Sequence, residues 1–116
     1  MAMDDKIVIY QKPTCSKCRA TLSLLNESGQ AFDSINYYET PLTAEKLREL
    51  IQKLNLPVRA VLRSDEPAAR GLELSTDDEL ILAMVKNPDL IQRPIVVRGS
   101  EAKLCRPPEN VLTLLK

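Results

Sequence analysis

The first forty residues constrain the fold most. Lys6-Ile-Val-Ile-Tyr10 is a short β-branched apolar run that stops at a breaker, Gln11-Lys12-Pro13-Thr14, as a buried strand entering a loop does. From Ser16 to Ser28 the spacing changes. Cys18, Leu22 and Leu25, with Leu24 beside them, recur at helical intervals, Lys17 and Glu27 face elsewhere, and Gly29 supplies a stop. Phe32 to Tyr38 then alternates through Ile35 and Tyr37, which predicts a second strand. Two strands joined through a helix cannot form a hairpin. They form a βαβ unit with a parallel pair.

The rest of the chain extends this α/β pattern. Thr43 is positioned to cap a helix whose stripe is Leu47, Leu50, Ile51 and Leu54, and Pro57 opens a shorter one through Val61 and Leu62. Thr76-Asp-Asp-Glu79 is a capping-box pattern leading into Leu80, Ile81, Met84 and Val85, ended by Asn87-Pro88. Asp77 and Asp78 therefore read as first-turn carboxylates and are assigned no catalytic role. After Arg93-Pro94, the runs Ile95-Val-Val97 and Ala102 to Cys105, separated by Gly99-Ser100, predict a β-hairpin. Pro107 and Pro108 suit the first turn of a last helix carrying Val111, Leu112 and Leu115. The order is β-α-β, several helices, then β-β-α. With 116 residues, 44% of them apolar, residues 1–116 are expected to form a single domain without disulfide or metal support.

Sixteen acidic and sixteen basic residues cancel, so no overall basic excess points to nucleic acid or to a membrane surface, and any anion site must be local. No apolar run approaches the ~18 residues of a membrane helix, and the start lacks a signal peptide's apolar region, which together predict a cytoplasmic protein. The small size and lack of heptads favour a monomer. The chain has three glycines and no phosphate-cradling glycine-rich loop.

Chemistry concentrates at the first strand-to-helix turn. Cys15 lies where unsatisfied N–H groups and the helix dipole favour a thiolate, which can lower a cysteine pKa from about 8.5 into a range of roughly 3.5–7.5. Lys12, Lys17 and Arg19 add positive charge at that end. There is no histidine in the chain, so no Cys-His pair activates this thiol. Cys18, one helical turn on, makes Cys15-Ser-Lys-Cys18 a candidate redox pair, the alternative being an inert pair, since Cys18 also falls on the buried face. The same spacing serves zinc, but Cys105 is the one further cysteine, so no metal site is expected. Cys105 itself reads as a small apolar strand residue. Pro94 stands where a thioredoxin-type cysteine is commonly faced by a cis proline.

These residues fall into segments that resemble the glutaredoxin-dependent arsenate reductases: Ile9-Tyr-Gln-Lys-Pro-Thr-Cys-Ser-Lys-Cys-Arg19, Tyr38-Glu-Thr-Pro41, Val58-Arg-Ala-Val-Leu-Arg63, Asn87-Pro88, Arg93-Pro-Ile-Val-Val97 and Leu104-Cys-Arg-Pro-Pro-Glu109. The resemblance covers nearly the whole chain. It implies a thioredoxin-like fold with a helical insertion between the βαβ unit and the C-terminal ββα unit. It also implies Cys15 as nucleophile toward arsenate, Arg63, Arg93 and Arg106 around the oxyanion, and glutathione as co-substrate, with glutaredoxin or thioredoxin regenerating the thiol. Guanidinium groups suit that task, because their planar fork of N–H donors matches a tetrahedral oxyanion. Arg19, Arg48, Arg59, Arg70 and Arg98 read as surface charges.

Two positions depart from the family pattern. Gln11 stands where many members carry histidine, which leaves activation of Cys15 to the helix and the basic residues. Cys18 stands where members commonly carry serine, which opens a route through a Cys15–Cys18 disulfide. Cys18 would equally suit a redox-sensing regulator that resembles the Spx proteins and binds RNA polymerase, or a general thiol–disulfide oxidoreductase. The three arginines favour the reductase.

Overall fold

The computed structural model describes residues 6–12 and 14–115, so the residues read for a signal peptide before Lys6, and Pro13 of the breaker, lie outside it. In chain order the elements are β1 (Ile7–Gln11), α1 (Ser16–Glu27), β2 (Phe32–Asn36), α2 (Ala44–Leu54), α3 (Val58–Val61), α4 (Asp77–Lys86), β3 (Ile95–Arg98) and β4 (Glu101–Leu104). Short 3-10 helices lie at Pro67–Ala69, Pro88–Leu90 and Pro108–Leu114. The chain divides into two compact units. One comprises the residues up to Thr40 together with those from Arg93 onward, and the other is Pro41–Gln92.

The first unit is a four-stranded mixed sheet in the order β2-β1-β3-β4. β1 pairs with β2 in parallel, Ile9 opposite Ser34, and with β3 in antiparallel, Ile9 opposite Val96. β3 and β4 form the expected hairpin, Val97 opposite Ala102. Ile7, Ile9 and Val96 pack with Leu25 of α1, with Cys105, and with Val111 and Leu114 of the last 3-10 helix, each buried. That apolar contact is what fixes α1 along the sheet, since burial stabilises by roughly 25 cal/mol per Å² of apolar surface.

β2 ends at Asn36, short of the expected Tyr38. The Asn36 side-chain oxygen accepts from the Tyr38 N–H at 3.0 Å, and its carbonyl accepts from Glu39 and Thr40 N–H at 3.0 and 2.9 Å. This turn outcompetes continued pairing. The last element is a 3-10 helix rather than an α-helix. Two prolines remove donors at its start, and Asn110 N–H closes an i+3 bond to the Pro107 carbonyl at 3.0 Å while its side chain reaches the Leu104 carbonyl at 3.1 Å.

The inserted unit is held by its caps and one apolar face. Thr43 Oγ1 accepts from Lys46 N–H at 3.0 Å, and α2 ends on Asn55 in the left-handed region, with φ of 57°. Leu47, Leu50, Ile51 and Leu54 are buried on α2, as are Leu80, Ile81 and Met84 on α4. Leu62 bridges Ile91, and Gln92 N–H donates to the Val61 carbonyl at 2.8 Å. Arg59, read as a surface charge, donates to the carbonyls of Leu72, Glu73 and Ser75 at 3.4, 2.8 and 2.9 Å, gathering the loop before α4. No helix among the described residues is long and apolar enough to cross a membrane.

The capping box at α4 is complete: Glu79 N–H donates to Thr76 Oγ1 at 3.2 Å, and Thr76 N–H donates to Glu79 Oε1 at 2.8 Å. Thr76→Ala is expected to lower unfolding free energy by ~1 kcal/mol, read as a lower denaturant midpoint at unchanged slope.

Candidate active site

Cys15 reaches its place through a tight turn. Its own N–H donates to the Lys12 carbonyl at 2.9 Å, which closes the loop after β1, and its carbonyl receives Arg19 N–H at 3.1 Å as α1 begins. Cys15 is therefore the N-cap of α1, with extended φ and ψ of −84° and 125°. A side chain at that position points at the unpaired N–H groups of the first turn. The Cys15 sulfur accepts from Cys18 N–H at 3.4 Å, the bond a serine or threonine oxygen makes at an ordinary cap. Cys15 stays partly exposed while Cys18 is fully buried, its sulfur accepting from Lys12 N–H at 3.5 Å. Both thiols are free.

The two sulfurs differ in acidity because their surroundings differ. Burial works against a Cys15 thiolate, but the Cys18 thiol, the N–H groups of Cys18 and Lys17, and the charge of Arg93 outweigh it and hold Cys15 below the usual thiol range. Burial pushes Cys18 up to about 12, and the neighbouring Cys15 sulfur adds to the rise. Cys15 ionises first, and Cys18 keeps its proton and shares it with the Cys15 sulfur.

Arg93 is the cation that acts on both sulfurs, whereas Lys17 and Arg19, expected to contribute, are exposed on α1, and the Lys12 ammonium lies 4.9 Å from the Tyr38 ring centroid. Arg93 is 6% exposed, directly before the cis Arg93–Pro94 peptide. Pro94 offers its carbonyl to Cys105 N–H at 3.0 Å, which ties this corner to the end of β4. The Tyr37 hydroxyl faces the Arg93 guanidinium, and burial raises its own pKa to about 12, so it remains a neutral phenol beside the cation. Tyr37 and Tyr38 lie with ring centroids 5.1 Å apart, next to one another in the turn that ends β2. The residue pattern marks Tyr37 only as a strand residue, because the turn bonds around Asn36 are not visible in it.

Cys15, Cys18 and Arg93 thus share one corner of the sheet unit. Arg106 belongs to the same unit, just after β4, half-buried, with its N–H on the Leu104 carbonyl at 2.9 Å. Arg63 belongs to the inserted unit, where its guanidinium lies 3.8 Å from the Glu66 carboxylate. Gln11, at the end of β1, is buried and donates to Ser34 Oγ at 2.9 Å. Its neutral amide holds adjacent strands together and adds no charge. Cys105 is buried in the apolar core, and its pKa is pushed up to about 12 by burial. Arg98, read as a surface charge, donates to the Leu114 carbonyl at 2.7 Å. Among the described residues no group of three or more histidine, cysteine, aspartate or glutamate side chains is placed to hold a metal ion.

Alkylation of Cys15 followed against pH should rise through a midpoint below the ~8.5 of a free cysteine, because a lowered pKa leaves the thiolate present until pH falls through it. Arg93→Ala and Cys18→Ala should each move that midpoint upward. A midpoint unchanged in both would mean that neither group acts on the Cys15 sulfur.

The sequence matches the ArsC family over residues 10–114. It is 41% identical to the Escherichia coli K12 protein named "Uncharacterized protein YfgD", across 97% of this chain and 99% of that one. It is 42% identical to the arsenate reductase of Escherichia coli K12, across 94% of this chain and 80% of the longer relative. Among solved structures, an arsenate reductase from Vibrio cholerae superposes with a TM-score of 0.89 at 44% identity, covering 94% of this chain and 97% of that one. The mixed sheet, the capped cysteine and the matched span agree: this chain belongs to the ArsC family.

Proposed function

We propose that this protein reduces arsenate to arsenite, with Cys15 as the nucleophile. The observation that carries the reading is the acidified Cys15 sulfur at the start of α1 under the charge of the buried Arg93. Membership of the family, and relatives named arsenate reductase at about 42% identity, support the same chemistry.

Arsenate carries its charge on tetrahedrally arranged oxygens. A thiolate attacking arsenic meets that charge, so the reaction needs donors that hold the oxygens and offset their repulsion. Arg93 is the first such donor. Arg106 is the second from the sheet unit, and Arg63 is the third arginine that the family segments imply. Cys15 then displaces one oxygen, which leaves as water after protonation, and a sulfur–arsenic(V) bond forms with no change in oxidation state. Reduction requires two electrons, released when a second thiol displaces arsenic from Cys15 and the two sulfurs become a disulfide. Glutathione with glutaredoxin, or thioredoxin, would supply that thiol to a monomer in the cytoplasm and restore Cys15. The hydrogen-bonded Cys18 also fits general thiol–disulfide exchange, and oxyanion binding separates the two readings.

Arsenite release by the purified protein with either reductant system tests this. Cys15→Ser should abolish turnover. Arg93→Ala should lower kcat/KM for arsenate by about 10- to 100-fold, the usual consequence of losing a charged hydrogen bond. Phosphate or sulfate should slow alkylation of Cys15 in the wild type and not in Arg93→Ala. A reactive Cys15 with no arsenite formed under any reductant would end the arsenate reading.

A further inference from the structure

Cys18 is placed in a way that attack on arsenate by Cys15 does not require. The cap needs only the backbone N–H of position 18, which any residue but proline supplies, and a serine hydroxyl could give the side-chain hydrogen bond that favours the Cys15 thiolate. Instead a second sulfur is buried one helical turn from the first, held by its own donor, the Lys12 N–H at 3.5 Å. Fully buried, it is closed to a dissolved reagent; of the two cysteines near it, Cys105 is itself buried in the apolar core, and Cys15 is the partly exposed one, its sulfur on the Cys18 N–H at 3.4 Å.

Resting on the arsenate reading, we infer that Cys18 is the resolving thiol of this protein, attacking Cys15 to release arsenite, and that the reductant it takes is a protein dithiol rather than glutathione. In the first step Cys15 is bonded to arsenic(V). The Cys18 sulfur, once deprotonated, attacks the Cys15 sulfur; a sulfur–sulfur bond forms and the sulfur–arsenic bond breaks. The electron pair of that bond stays on arsenic, which becomes arsenic(III) and leaves as arsenite. Two thiols have become one disulfide, which accounts for both electrons. In the last step one thiol of the reductant attacks the more accessible Cys15 sulfur and Cys18 departs. The reductant's second thiol then closes its own disulfide and returns Cys15.

The change in Cys18 acidity runs in the required direction. While Cys15 is a free thiolate, its charge and hydrogen bond keep the Cys18 proton in place. Bonding of Cys15 to arsenic removes both influences, while the Lys12 N–H and the charge of Arg93, which favour a Cys18 thiolate, remain. Attack by Cys18 is thereby delayed until there is an adduct to resolve.

The choice of reductant follows from proximity. If glutathione opened the disulfide at Cys15, Cys18 would be left beside the mixed disulfide and would expel glutathione faster than a second molecule could arrive, because an intramolecular thiol acts at a very high effective concentration. A dithiol carries its own second thiol and competes on equal terms.

A single-turnover measurement tests this. Fully reduced wild-type protein, mixed with arsenate and no other thiol, should release close to one arsenite per chain and leave a Cys15–Cys18 disulfide, detected by peptide mass as the loss of two hydrogens. Cys18→Ser and Cys18→Ala should release none and retain arsenic on Cys15, with Cys15 alkylation verifying an intact site. Cys105→Ala should behave as wild type. In steady state, thioredoxin with its reductase should drive the wild type, and Cys18→Ser should lose at least about tenfold of that rate. If wild type turns over but Cys18→Ser matches it with thioredoxin, or if no disulfide forms in single turnover, the resolving role is overturned while the arsenate reading stands. Turnover with glutathione alone, no protein dithiol present, as fast as with thioredoxin would overturn the choice of reductant. No arsenite under any condition would remove the substrate reading and this inference with it.

Discussion

The site depends on one weak bond made at a favourable place: the Cys18 N–H on the Cys15 sulfur where α1 begins. A sulfur is a poor acceptor, and at 3.4 Å the bond is modest. It works because it belongs to the first turn of a helix, where N–H groups have no internal partner and the aligned peptide dipoles favour negative charge. The helix therefore gains a cap when the thiol ionises. Folding of α1 and ionisation of Cys15 favour each other, and the apolar packing of Leu25 against Ile7, Ile9 and Val96 keeps the helix in position to do this. Activation without histidine is thus built from the Cys18 thiol, backbone N–H groups and one arginine.

That arginine shows how a buried charge is tolerated. Arg93 is almost withdrawn from solvent, which is costly for an isolated cation. The Cys15 and Tyr37 side chains facing it supply a nearby anion and a phenol dipole. In the proposed reaction that anion would be consumed as the sulfur bonds to arsenic, and oxyanion oxygens would replace it. The environment suits an arginine that faces negative charge, from the protein and then, on that proposal, from the substrate.

Much of this was legible in the residues. The β-branched run, the helical stripe and the alternating run gave the parallel βαβ unit, and Thr76-Asp-Asp-Glu79 gave the start of α4 to the residue, because each is a local pattern with a local cause. Cys15 was legible for the same reason, since a cysteine between a strand and a helix has few other places to go. What was not legible depends on bonds between distant or competing groups. Asn36 ends β2 through a turn that any strand-like spacing would hide, and Pro107 and Pro108 suit an α-helix as well as the 3-10 helix that forms. Spacing points to Lys12, Lys17 and Arg19 as the nearby positive charge, whereas the cation acting on the Cys15 sulfur is Arg93, which the family resemblance names and the spacing does not, because its closeness comes from the sheet. Cys18 was correctly placed on a buried face, but only its surroundings show which of the two sulfurs keeps its proton.

The pairing of β1 with β3 has a consequence for how the chain reaches this structure. Ile9 meets Val96 across the whole of α1, β2 and the inserted helices, so the central strands of the sheet come together only after a long loop has closed. Loop closure costs entropy, but slowly, about 0.6 kcal/mol for each doubling of length. The inserted segment has capped helices and its own buried leucines. On that scaling, a change in its length would add little to the closure cost of the pairing that places Arg93 beside the cysteines.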